Sequence, residues 1–321
     1  MKINYVKQIE FEELAHTDFD FIVCASGFEE RSTYSSKILD RMKVFTSYKI
    51  CFSFKGRKLH SKIENDEYFR KNKFSFISVE SNDIDYYVDK FLVNISQRQK
   101  EKNKERISIF IDYSCMITII YAGLLKCLNR LDIINTVDVY FSYSHAKLTE
   151  SKVNNPLSFN HPIPLFDHIQ STNKKVALLL GMGYEENKAL GLHEYFQSTS
   201  EDIYLFIIRN NGFYEKVLTS NQHLINMVNK SNIIYYELEN LNPLINTLDS
   251  MVNFLIYQDY RVVLAPIGPK IFNLIALIVN MYHREVTTYR LSDGNNGNPI
   301  NKIADETKMP TIVHLNMINH K

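Results

Sequence analysis

The chain has 321 residues, with 37 Lys and Arg against 36 Asp and Glu, a formal charge of +1. This balance gives no overall attraction to nucleic acid or to acidic membranes, so neither direct DNA or RNA binding nor membrane association is expected. An apolar fraction of 45% excludes a disordered chain, and no run approaches the ~18 consecutive apolar residues of a membrane span. The N-terminal MKINYVKQIEFEELAH carries acids early and lacks the apolar core of a signal peptide. Cys24, Cys51, Cys115 and Cys127 form no C-x-x-C pair. Both features point to a reducing, cytoplasmic setting in which the cysteines pack as small apolar side chains.

Along the chain, apolar and β-branched runs predict strands over 21–25, 49–54, 74–79, 107–112 and 137–142. Helical segments follow over 31–41, 60–71, 84–97 and 117–128. The charged run 97–106 reads as a solvated loop or helix end. A second series of strands is predicted at 176–180, 203–208, 233–237, 262–266 and 286–290, then a turn-rich loop and an edge strand at 311–317. The two series resemble one another. SGFEERS after the first strand matches GMGYEEN, pairing Gly27 with Gly183 and Glu29 with Glu185 at an offset of 156 residues. Later strands keep offsets of 155–157 in the same order.

The predicted fold is therefore α/β: two tandem Rossmann-like units with mainly parallel sheets, related by internal duplication. The expected domains are 1–150 and 174–321, with the Pro- and Asn-rich stretch 151–173 as linker.

In open parallel sheets, ligands bind beyond the carboxyl ends of the strands. That rule selects the loops after the first and fourth strand of each unit. In the first unit it names Gly27, Glu29, Glu30, Arg31 and Ser32, with Asp112 and Ser114. In the second it names Gly183, Glu185 and Glu186, with Gly268 and Lys270. Glycine lets a backbone approach a ligand, and Lys after a Gly-Pro turn suits a phosphate. The paired glutamates and Asp112 fit two roles equally: first-turn or N-cap residues of the following helices, or acids that bind or cleave a ligand. Lys55, Arg57 and Lys58 form a basic knot at another carboxyl-end loop. The ten histidines show no zinc-site spacing, so no metal site is expected and no cofactor is assigned. Neither a P-loop, a G-x-G-x-x-G fingerprint nor a G-x-S-x-G elbow is present.

The two halves resemble CARF domains, the CRISPR-associated Rossmann fold, and their fused relatives, the SAVED domains. The likeness lies in the ligand loops after the first and fourth strands. Asp112 and Ser114 match the acid and hydroxyl of the fourth-strand loop, without its glycines and Lys; Gly268 and Lys270 match a Gly and the Lys, without the Asp. The resemblance implies a nucleotide-binding sensor in antiviral defence. Its ligand would be a cyclic oligonucleotide or another phosphate-bearing small molecule, and it would act through a partner protein or a homo-oligomer. Two other readings remain: a nucleotide-directed hydrolase using Glu29, Glu30 and Asp112, and a structural subunit of a defence complex.

Overall fold

The structure is a computed structural model that describes residues 1–319 except 45, 47, 55–58, 80–83, 103–104, 132–133, 148–158, 164–165, 167–172, 186–187, 210–211 and 293–299. Lys55, Arg57, Lys58, Glu186 and much of the expected linker thus lie outside the described residues. The chain forms two units, Met1–Thr149 with Ile300–Lys321, and Glu150–Pro299.

The first unit contains β1 (Lys2–Ile9), β2 (Phe21–Ser26), β3 (Tyr48–Phe54), β4 (Ser75–Val79), β5 (Arg106–Asp112) and β6 (Thr136–Tyr143). Its helices are α1 (Tyr34–Arg41), α2 (Lys62–Lys71), α3 (Ile84–Lys102) and α4 (Thr118–Asn129). The second contains β7 (Phe159–Pro162), β8 (Val176–Gly181), β9 (Ile203–Ile208), β10 (Ile233–Tyr236), β11 (Arg261–Pro266) and β12 (Thr287–Ser292). Its helices are α5 (Lys188–Phe196), α6 (Tyr214–Ser220), α7 (Gln222–Met227), α8 (Asn242–Tyr257) and α9 (Lys270–Tyr282). The last strand, β13 (Thr311–Ile318), returns to the first unit.

The sheets run β1-β13-β6-β5-β2-β3-β4 and β10-β9-β8-β11-β12-β7. Each contains five parallel strands in the order third, second, first, fourth, fifth, the order of one Rossmann half. In each, the fifth strand also pairs with an antiparallel strand, β13 or β7. β2 (FIVCAS) is buried along its whole length and β8 (VALLLG) nearly so, because helices cover both faces of a parallel sheet. Cys24, Cys51 and Cys127 are buried among these apolar side chains; Cys115 is half-buried.

Individual contacts also repeat at the offset seen in the sequence. Asn65 Nδ2 donates to the Gly27 carbonyl at 3.0 Å, and Asn221 Nδ2 to the Gly183 carbonyl at 2.8 Å. Phe28 meets His60, and Tyr184 meets Lys216.

Two boundaries differ from the sequence expectation. The stretch expected as a linker contributes β7, and the adjoining Ile163 and Phe166 are buried and hydrogen-bonded to Thr288. The stretch 311–317, expected as an edge strand of the second unit, lies inside the first sheet between β1 and β6. A polar pin explains this placement. Asp138 on β6 is fully buried, and its carboxylate accepts from His314 Nε2 at 2.9 Å, Asn316 Nδ2 at 2.8 Å and Arg106 Nε at 2.6 Å. His314 and Asn316 are two residues apart on β13 and so share one sheet face. The His314 ring also stacks on Tyr140, with centroids 4.2 Å apart.

Burial alone would raise the Asp138 pKa, but the His314, Arg106 and Asn316 donors outweigh it and hold the carboxyl below its usual value. A lowered folded-state pKa stabilises above the unfolded value, near 3.9, and is lost as pH falls through the folded value. Asp138→Ala should therefore lower stability at neutral pH by at least about 1.5–3 kcal/mol, the range for one hydrogen bond to a charged group. The deficit should shrink as acid titrates the wild type. Denaturant melts of both proteins between neutral and acidic pH check this; a deficit independent of pH would mean that packing, not the carboxylate, is the source.

Candidate functional site

The strand order reverses between β2 and β5 in the first unit and between β8 and β11 in the second. The loops selected from the sequence leave the carboxyl ends of these strands.

In the first unit the two loops touch. A Cβ placed on Gly27 would lie 3.2 Å from Cys115 Cβ, so glycine permits the approach. Ser32 closes the loop, its hydroxyl donating to the Ala25 carbonyl at 2.6 Å and accepting from Gly27 N–H at 3.3 Å. Asn65 on α2 donates to the Gly27 and Glu29 carbonyls.

Arg31 binds this loop to the others. It is 1% exposed. Its Nε donates to Glu29 Oε2 at 2.6 Å, one Nη to the Ser144 carbonyl at 2.7 Å and the other to the Ser114 carbonyl at 3.4 Å. The guanidinium lies 5.3 Å from the Tyr143 ring centroid. Burial works against its charge, yet Tyr143 and Glu29 more than offset that, so Arg31 stays a cation.

Asp112, at the end of β5, is 2% exposed. Its Oδ1 accepts from Ser114 Oγ at 2.5 Å and Ser114 N–H at 3.0 Å, while Oδ2 receives no hydrogen bond. The Ser35 hydroxyl nearby is engaged with Ser142 and Ser144. Burial pushes the Asp112 pKa up, and the Ser114, Ser35 and Arg31 groups only partly counter it. Tyr113 Oη is also buried without a partner. Bare buried polar atoms are rare in folded proteins and tend to mark functional or hydrated places.

The three acids expected to act together are separated in environment. Asp112 is buried against Ser114, Glu29 is neutralised by Arg31, and Glu30 is exposed with its backbone N–H donating to Asn301 Oδ1. Glu30 stands in the first turn of the 3-10 helix Glu30–Thr33, as its first-turn reading expects, while Glu29 and Asp112 cap no helix by their side chains. Glu29 is the N-cap of the turn Glu30–Thr33 but makes no side-chain cap bond, and the N-cap of α4 is Ile117. No cluster of three His, Cys, Asp or Glu suited to a metal occurs among the described residues.

Sequence reasoning missed a second buried group at this edge. Lys62, 6% exposed, donates to Asp66 and, at 2.9 Å, to Ser53 Oγ; Ser26 Oγ also donates to Asp66, at 2.6 Å. Burial would raise the Asp66 pKa, but Lys62, Ser26 and Ser53 hold it below its usual value. The Lys62–Asp66 spacing of i, i+4 was the available signal, and it is common on solvated helices.

In the second unit the loops meet backbone to backbone. A Cβ on Gly183 would lie 2.4 Å from the Ile267 carbonyl oxygen, and one on Gly268 2.2 Å from the Met182 carbonyl oxygen. Close packing alone therefore requires both glycines. Glu185 pairs with the buried Lys188 at 2.8 Å, so in each unit the first glutamate of the loop is neutralised by a buried cation. Lys270 is the first residue of α9, after Pro269, and is half-buried.

No family model and no curated protein matches this chain. Three solved structures show slight likeness. A protein described as a universal stress protein from Pseudomonas aeruginosa UCBPP-PA14 is 11% identical, with 87% of this chain and 94% of that one covered, at a TM-score of 0.21. A functionally unknown protein from Pseudomonas aeruginosa PAO1 gives 11%, 87%, 94% and 0.23. A lipopolysaccharide outer core galactosyltransferase gives 12%, 85%, 92% and 0.21. At such TM-scores the comparisons assign neither family nor activity.

The Asp112 geometry makes a signed expectation. A carboxyl whose folded pKa is raised is least costly below its unfolded value, near 3.9, and becomes costly as pH rises through the folded value. Asp112→Asn removes that cost. The variant should be favoured relative to wild type at neutral pH, and the advantage should fade as pH falls toward 4. Arg31→Met should instead lose about 3–5 kcal/mol, as when one partner of a buried ion pair is removed. Thermal melts across pH test both; a pH-independent Asp112→Asn difference would contradict the desolvated carboxyl.

Proposed function

We propose that the protein is a nucleotide-binding module that holds a phosphate-bearing ligand at the carboxyl end of a sheet, and that it acts as a sensor through a partner. The observation that carries this reading is the polar interior of one sheet edge. Arg31, Ser32, Ser35, Lys62, Asp112, Ser114, Ser142 and Ser144 are all buried there, at the place where open α/β sheets bind ligands. Burying charged or polar groups is costly unless each is hydrogen-bonded, and Asp112 Oδ2 and Tyr113 Oη are not. Lys270, behind a Gly-Pro turn at the corresponding place in the second unit, is the proposed phosphate anchor. The cyclic oligonucleotide and the defence setting rest on the CARF-like loops alone.

The hydrolase reading needs two carboxylates facing one bond. Glu29 is committed to Arg31 and Glu30 is exposed, which leaves Asp112 without a second acid and favours binding over cleavage.

Mass spectrometry of nucleotides that co-purify with the native protein tests the reading directly. A bound nucleotide is expected, unchanged after prolonged incubation. Lys270→Ala should weaken its binding about ten- to a hundredfold, the value of a charge-assisted hydrogen bond, with little change in melting temperature. Unchanged affinity in calorimetry removes Lys270 from the site, and consumption of the nucleotide reinstates the hydrolase.

A further inference from the structure

The carboxyl edge of the second unit bears a group of rings and cations, of which Tyr184 comes from the switch-point loop after β8 and the others from β9, β10 and α6 with the residues beside them. Arg209 follows β9 and is exposed, and its guanidinium carbon lies 3.9 Å from the centroid of the Tyr235 ring on β10. Tyr235 is 37% exposed. Lys216, exposed on α6, places its ammonium 4.4 Å from the centroid of Tyr184, in the loop after β8. Tyr184 also stacks on Phe213, with centroids 5.3 Å apart and planes 9° from parallel. Tyr214, the next residue, meets Tyr235 edge-on at 6.4 Å. Phe213 and Tyr214 are adjacent in the chain and half-buried, so successive ring contacts join the two ring–cation pairs near the ends of β8, β9 and β10.

We infer that this surface is a stacking platform for the base of a nucleotide, with Arg209 and Lys216 meeting its phosphate. This deepens the nucleotide reading above and rests on it, but assigns the base to residues which that reading leaves out. The physical case has three parts. A guanidinium lying on an aromatic ring at 3.9 Å presents a flat, weakly hydrated outer face, on which nucleobases stack as they do on aromatic rings. The rings hold both cations at the sheet edge, so less side-chain freedom is lost when an anion arrives. Glu215, exposed on the same helix, lowers the net positive charge of this segment, so a bare phosphate is held less strongly than by two cations alone. At the positions 156 residues earlier the first unit has Ser53 and Val79 in place of Arg209 and Tyr235, so this pair belongs to the second unit.

The base could arrive on a free nucleotide or on a single strand, and the test separates them. The chain contains no Trp, so Tyr235→Trp installs a single Trp at the platform, excited selectively at wavelengths beyond tyrosine absorption. The probes are AMP, a single-stranded hexaribonucleotide, and ribose 5-phosphate, which has the phosphate without a base. AMP or the hexamer should quench the Trp emission, and ribose 5-phosphate should not. A preference for AMP identifies a free nucleotide and a preference for the hexamer a strand; either supports the platform. In the otherwise unaltered protein, Arg209→Gln should weaken binding of the preferred probe about 5- to 150-fold, the span of one base-stacking contact, and Tyr235→Leu should weaken it in the same range by removing the ring that holds the guanidinium flat. Both residues are exposed, and a matching thermal melt establishes that the variants fold. Quenching by ribose 5-phosphate equal to that by AMP, or binding unaffected by either substitution, overturns the platform. Those results leave the nucleotide reading standing; that reading fails on its own ground, the absence of any co-purifying nucleotide.

Discussion

The first unit depends on keeping one buried cation satisfied. Arg31 sits under the loops that leave β2, β5 and β6, and it spends its donors on Glu29, the Ser114 carbonyl and the Ser144 carbonyl. A guanidinium is the side chain suited to this, because its donors diverge in a rigid plane and it remains charged in a dry setting. The arrangement dictates what surrounds it. Glu29 must supply the countercharge, the carbonyls must face inward, and the serines must pass hydrogen bonds among themselves to avoid stranded hydroxyls. Asp112 is left against Ser114 with one oxygen bare.

The two units answer the same topology in different chemical terms. Each has the strand order of a Rossmann half, a glycine loop after its first strand, and an asparagine holding that loop by its carbonyl. The first unit lines its carboxyl edge with buried serines and ion pairs. The second closes its switch-point loops by direct backbone contact and carries exposed cations over rings, Arg209 on Tyr235 and Lys216 on Tyr184.

The architecture was legible because parallel strands buried on both faces must be apolar throughout, and helices between them must carry a different period. The order of strands, helices and ligand loops followed from that alternation, and the 156-residue offset tied the halves together. The candidate loops were legible for the same reason, since topology places them at strand ends whatever their composition. The roles of the glutamates were not legible. A glutamate at a helix start looks the same whether it caps the helix, binds a ligand or neutralises a buried cation. The last role is decided by Arg31, two residues on, turning inward.

The sequence by itself determined the parallel strands of both sheets and the loops at their carboxyl ends, because these follow from local periodicity and chain order, but not β1 or β7, which lie outside the alternation of strand and helix. Only the tertiary structure decided the partners of segments distant in the chain. It set β13 beside β6, where Asp138 gathers donors from His314, Asn316 and Arg106. It drew Lys62 into Asp66, Ser26 and Ser53, and brought Arg209 onto Tyr235. Each of these contacts joins residues whose local sequence is ordinary. Their chemistry arises from being desolvated together, and desolvation is a property of the fold.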